Sequence, residues 1–303
     1  MAELYLICEG PAGGLDNRVL DRMVAQRFAR NILIQPACGD ASLRSVAEHY
    51  LERSRLRLPD GSWGAPSDRV FTVKDHNYRT RRVADASWET SSVHLIWRRH
   101  EIENYLLDPR VIAQAFQNLR SLMRRWPPGL PDSASDVDLL MQQLARPMTE
   151  NFVGRVTYYR LVDHKRTLAD TRFLYPDRRN PLRPVRYPGR QAWLDYLHRE
   201  CARLRADCQE ISTSDEFSDA YIDRVYDANL ATTESQDFWA TGRYVEDMGG
   251  HELLSALLEH LSQSGIPISQ SDLETELLQA LDQIYTPGFY PVDDFAQLAD
   301  RLA

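Results

Sequence analysis

Through the first hundred residues, short apolar runs alternate with longer stretches in which apolar positions recur every three or four residues. The run "ELYLIC" is continuous rather than alternating, the pattern of a strand buried on both faces. After it, the spacing of Val19, Leu20, Met23, Val24 and Phe28 predicts a helix capped by Asp16. "NILIQP" reads as a second strand. "ASLRSVAEHYLERS" reads as a helix with Leu43, Val46, Ala47, Tyr50 and Leu51 on one face, and "LPDGSWGAPSD" as a polar loop. "RVFTVKD" and "SSVHLIWR" are the third and fourth strands. Strands alternating with helices predict a mostly parallel sheet with right-handed crossovers.

From about residue 104 the pattern becomes helical. "NYLLDPRVIAQAFQNLRSLMRRW" carries an Asp108-Pro109 start signal, "PPGLPDSASD" is a loop, and "VDLLMQQLARPM" is a further helix. Residues 170–190 form an arginine- and proline-rich connection. In "HELLSALLEHLSQSG", Leu253, Leu254, Leu257, Leu258 and Leu261 make a core stripe that Gly265 can end. The pattern therefore predicts an α/β domain over 1–112 and a mainly helical region over 113–303.

A parallel sheet places its ligand site at the carboxyl ends of its strands. Three of those ends are acidic: Glu9 with Asp16 beyond "GPAGG", Asp75 with His76 and Asn77, and Glu101 with Glu103. Converging oxygen ligands suit magnesium, which keeps waters and shares substrate phosphates. Such ions align water for attack on a phosphodiester, and a neighbouring carboxylate can move protons. Each residue also has an ordinary reading: Glu9 as a solvated turn residue, Asp75 and Asn77 as turn formers, Glu101 and Glu103 as first-turn helix acids. Their shared placement on one sheet edge favours chemistry. "GPAGG" is neither GxGxxG nor a P-loop, and the eight histidines show no HExxH spacing. There is no GxSxG elbow.

Composition changes this picture in two ways. A net charge of −8 over 303 residues argues against a general nucleic-acid coat. Yet only Lys74 and Lys165 are lysines among 36 basic residues, and the arginines cluster: Arg79, Arg81 and Arg82; Arg98 and Arg99; Arg178, Arg179, Arg183, Arg186 and Arg190. Genome base composition produces such a bias too, but basic islands on an acidic protein can grip a phosphate backbone. The 170–190 segment is equally readable as a solvated connection stiffened by proline. No apolar stretch approaches the roughly 20 residues of a membrane span. Cys8, Cys38, Cys201 and Cys208 lack metal-type pairing, as expected of reduced thiols in a cytoplasmic protein.

The order strand–"CEG"–acid–helix, strand–"PACGDASL", strand–"KDHNYR", strand–"HEIENYLL" resembles the toprim domain. It is most similar to the branch found in overcoming-lysogenization-defect nucleases and in toprim-like proteins encoded beside ABC-type ATPases, including effectors of PARIS-type anti-phage systems. The resemblance spans residues 3–112, with a weaker echo at "MGGHELLSAL". It implies a toprim-like Rossmannoid fold and a Mg2+- or Mn2+-dependent endonuclease, acting on DNA or RNA (tRNA among the candidates) with an ABC/OLD-type ATPase partner. A homodimer is compatible with that branch. By position, Glu9, Asp75 and Glu103 take catalytic places, and Glu9, Asp16, Asp75 and Asn77 take metal-ligand places. Arg79, Arg81, Arg82, Arg183 and Arg186 are the candidate nucleic-acid contacts. Two departures stand out: Asn77 replaces an aspartate, and His251 replaces a lysine. They leave open a catalytically degenerate binding or regulatory module.

Overall fold

The apolar run Leu4–Cys8 forms strand β1 at the centre of the sheet, with four of its five residues buried. The chain is described here from a computed structural model covering residues 3–27, 32–59, 62–66, 69–76, 78–79, 81–91, 93–123, 126–168, 187–207 and 209–303. After β1 come α1 (Leu15–Leu20), continued by a π-helical turn over Asp21–Ala25, then β2 (Ile32–Pro36) and α2 (Asp40–Arg53). A two-stranded antiparallel ribbon follows, β3 (Arg55–Arg57) and β4 (Trp63–Pro66). Then come β5 (Arg69–Lys74), α3 (Arg81–Thr90), β6 (His94–Ile96), α4 (Glu103–Leu106) and α5 (Pro109–Leu122).

Among the described residues β2, β1, β5 and β6 form, in that order, a four-stranded sheet in which every pairing is parallel. The α/β architecture expected from the apolar pattern is therefore present. Continuous apolar runs suit such strands because both faces are covered. Tyr5 and Ile7 pack with Ala37, Leu43, Ala47 and Val70 beneath α2. Alternation turns Leu6 and Cys8, both fully buried, to the other face.

Two expectations are corrected. Asp16 does not cap α1: Gly14 holds the cap position, and Asp16 sits in the first turn, where a carboxylate meets the positive end of the helix dipole. The loop expected over 58–68 contains β4, because a narrow ribbon with an exposed face carries no continuous apolar run.

The remaining helices are α6 (Ala134–Ala145), α7 (Thr149–Leu168), α8 (Gly189–Asp207), α9 (Gln209–Ser212), α10 (Asp219–Glu234), α11 (Gln236–Ala240), α12 (Arg243–Asp247), α13 (Gly250–Gln263), α14 (Gln270–Ile284) and α15 (Asp294–Leu302). The chain forms two compact units: residues 1–77, 81–138 and 250–303, and residues 139–249 with 78–80. The carboxyl-terminal helices, grouped by sequence pattern with the helical region, thus belong to the sheet's unit. Leu273, Leu277, Leu278 and Leu281 of α14 are buried, and α14 packs along α5. Arg18 pairs with Glu274, and Arg22 and Arg27 pair with Asp282. Arg98 pairs with buried Asp294 of α15, which also accepts from Tyr105 Oη.

The helical unit has its own core of Val153, Leu161, Trp193, Leu197, Leu204, Phe217 and Tyr226. Gly154 permits its close packing, since a Cβ there would run into the Trp193 indole. Tyr78 belongs to this unit, its backbone in the left-handed region at φ 58°. Its ring stacks on Tyr159, and its hydroxyl accepts a 2.7 Å hydrogen bond from Arg155. No helix among the described residues is long and apolar enough to cross a membrane.

Candidate active site at the sheet's switch point

With the ribbon set aside, the chain winds from β1 outward to β2 and then, on the other side, to β5 and β6. The crevice beyond the carboxyl ends of β1 and β5, where winding reverses, is where such sheets bind ligands. Glu9 follows β1 and Asp75 follows β5. The two are joined directly, the Asp75 backbone N–H donating to Glu9 Oε2 at 3.2 Å.

The loops around them are laced together by backbone bonds. Ala37 N–H donates to the Cys8 carbonyl at 2.8 Å, Gly39 N–H to the Glu9 carbonyl at 2.7 Å, and His76 N–H to the His100 carbonyl at 3.0 Å. Gly39, at φ 131°, adopts a backbone that a side chain would strain. The "GPAGG" turn closes through Gly14 N–H to the Pro11 carbonyl, 2.9 Å, and folds Asp16 back over Gly10. A Cβ at Gly10 would collide with the Asp16 carboxylate. The long turn thus returns Asp16 to the strand end that carries Glu9.

The third arm comes from beyond β6. Glu101 N–H donates to Oδ1 of fully buried Asn104 at 2.8 Å, which sets the start of α4 and the place of Glu103. Glu101 Oε2 in turn accepts the His251 backbone N–H at 2.8 Å, at the amino end of α13. Gly250 lets that helix approach, because a Cβ there would lie 2.6 Å from Asn104 Oδ1.

Electrostatics treats these acids as one group. Burial first, then Asp16, Glu9, Glu101 and Glu103, push the Asp75 carboxyl well above the ordinary carboxylate range. Burial, reinforced by Glu101, raises Asp16 to about 6. Burial, with Glu101 and then Asp16 adding repulsion, raises Glu103 to about 8. The Cys8 thiol beneath them is pushed up to about 12 by burial and by Asp16 and Asp75, so it is no nucleophile at neutral pH.

Glu9, Asp16, Asp75 and Glu103 are therefore brought together, while Asn77 lies outside the described residues. Glu101, to which sequence position assigned no catalytic or ligand place, is the added member. Its sequence signal is only the Glu-x-Glu-Asn spacing, because its decisive partner lies 150 residues downstream. Arg79 is half-buried, and Arg81 and Arg82 are exposed at the start of α3. There they oppose the helix dipole, so helix stability does not account for them. Arg183 and Arg186 lie outside the described residues.

The donor set is all hard carboxylate oxygen under mutual repulsion, which fits a divalent cation such as magnesium in charge and ligand type. Among the described residues no three His, Cys, Asp or Glu side chains gather closely enough to form a complete ligand set. A cation there would be shared with substrate oxygens and water, as magnesium commonly is. Searches against family models and against curated proteins find no match, so fold and geometry carry the functional reading.

Proposed function

We propose that the protein is a Mg2+- or Mn2+-dependent endonuclease of toprim type that hydrolyses phosphodiester bonds in nucleic acid. One observation carries this reading. Glu9 and Asp75, at the ends of adjacent strands at the switch point, are joined by a hydrogen bond within a cluster of five carboxylates, where burial and repulsion disfavour ionisation of Asp75, Asp16 and Glu103. Such a cluster is unfavourable for folding alone, and a bound cation relieves it.

Glu9, Asp16 and Asp75, with Asn77, would hold the cation. When bound, it would activate water and stabilise the departing oxygen. The chain's own contribution is orientation and proton management. The Asp75 N–H fixes the direction of the Glu9 carboxylate. Glu103, raised to about 8, favours its protonated form at neutral pH and would be the group that returns a proton to a leaving oxygen. Arg81 and Arg82 offer exposed charge to the phosphate backbone.

The resemblance to toprim proteins encoded beside ABC-type ATPases extends the proposal to an anti-phage effector working with such a partner. A second reading, a degenerate binding or regulatory subunit, is favoured by the lack of a gathered ligand set among the described residues. The deciding assay incubates the purified full chain with plasmid DNA, single-stranded DNA, total RNA and tRNA, with Mg2+ or Mn2+. Cleavage by wild type that Glu9→Gln and Asp75→Ala abolish, with folding unchanged, supports the nuclease. A wild-type protein that cleaves none of them, once freed of any ATPase partner, removes it and leaves the binding module.

A further inference from the structure

The β3–β4 ribbon plays no part in the sheet and none in the acid cluster. Its register pairs Arg57 with Trp63 and Arg55 with Pro66, closed by Leu58 N–H to the Ser62 carbonyl at 2.8 Å. Directly paired residues of an antiparallel ribbon project from one face, as do residues two apart on a strand. Arg57 and Trp63, directly paired, therefore share a face, while the register shifts between Arg57 and Arg55. Trp63 is 62% exposed, whereas Trp88, Trp97, Trp193 and Trp239 are buried. Its neighbour on that face, Ala65, is small and leaves the indole uncovered.

Residues 53–66 carry Arg53, Arg55 and Arg57 against one acid, Asp60, in a chain of net charge −8. Arg55 is paired with Glu52 of α2, while Arg53 and Arg57 are exposed. A solvated indole paired across the ribbon with an exposed arginine has the two elements of a single-strand platform: a flat surface for base stacking and positive charge for phosphates. A symmetric contact with a second copy would cover little more than the Trp63 indole and Leu58 on each side, far below a stable interface. A duplex hides its base faces and gives the indole nothing to stack on.

We infer that the β3–β4 ribbon is a binding site for single-stranded nucleic acid, with Trp63 stacking on a base and Arg57 and Arg53 contacting phosphates. The inference rests on the nuclease reading for its substrate class and adds where the strand is held. The ribbon precedes β5 in the chain, and the acids stand at the carboxyl end of that strand.

The test is fluorescence anisotropy of labelled single-stranded DNA and RNA 20-mers and of a duplex, with the full chain in EDTA so that no cleavage intervenes. Single strands bind more tightly than duplex. Trp63→Ala weakens that binding about tenfold, Trp63→Phe restores most of it, and Arg57→Gln lowers the salt slope by about one. Thermal melts of the three variants should match wild type, since the residues replaced are exposed. Single-strand binding that is absent from wild type, equal in Trp63→Ala, or weaker than duplex binding overturns the inference. Binding that follows this pattern in a protein that cleaves nothing keeps the ribbon and removes the nuclease.

Discussion

Two acidic places in the sheet-bearing unit solve the burial of carboxylates in opposite ways. Asp294 is almost wholly buried, and its oxygens accept from the Arg98 guanidinium, the Arg98 backbone N–H and the Tyr105 hydroxyl. Burial raises its carboxyl above the ordinary range, and Tyr105 and Arg98 pull it only part of the way back. At the strand ends, the influences on Asp75 after burial are four more carboxylates, all pushing the same way. The first arrangement is complete within the chain. The second is complete only with protons or an added cation. On the proposed reading, that difference separates an acid kept for folding from acids kept for chemistry.

The comparison is broken most severely from the structural side. Asp294→Asn should destabilise the protein by about 3 kcal/mol, because Arg98 and Tyr105 lose a buried partner; a denaturant melt with an unchanged midpoint would refute this. Asp75→Asn should do the reverse, melting no earlier than wild type at pH 8 in EDTA while lowering Mg2+-dependent cleavage at least about a hundredfold. If it destabilises as Asp294→Asn does, the strand-end cluster is structural after all.

The pH dependence sharpens the contrast. Asp16 and Glu103 bind protons more tightly folded than unfolded, so their contribution is full below about pH 4 and lost as pH rises through about 6 and about 8. In EDTA, wild type should therefore lose on the order of a few kcal/mol between pH 5 and pH 8 relative to Glu103→Gln. Millimolar Mg2+ should restore it. Parallel pH curves for the two proteins would exclude the shift. The smallest effect concerns Glu101. His251→Pro removes the N–H that Glu101 accepts, at a helix position where proline is tolerated, and should cost about 1 kcal/mol. His251→Ala keeps that N–H and should cost nothing measurable in the same melt.

Much of this was legible in the chain. Short apolar runs identified all four sheet strands, and their alternation with helices placed Glu9 and Asp75 on one edge. Asp108-Pro109 marked the start of α5, where Asp108 accepts from the Arg110 N–H. What escaped was set by distance or by weak pattern. α3 buries only Ala84 and Trp88 and so shows little stripe. β4 carries its one large apolar residue on the solvent side. The return of Asp16 onto Gly10 depends on a five-residue turn whose path no periodicity encodes. Glu101 gains its role from a helix that begins at residue 250.

The cysteines offer an experimental handle. Cys8 and Cys201 are buried, and burial first of all pushes both thiols up to about 12, which silences them towards alkylating reagents at neutral pH. Cys38 is exposed, and its backbone N–H lies 3.4 Å from the Gly10 carbonyl, one peptide beyond Glu9. A maleimide dye on Cys38, in protein carrying Cys208→Ser, would therefore report on the loop that holds the first acid. Titrating labelled protein with Mg2+, Mn2+ or oligonucleotide would then read occupancy optically, without turnover.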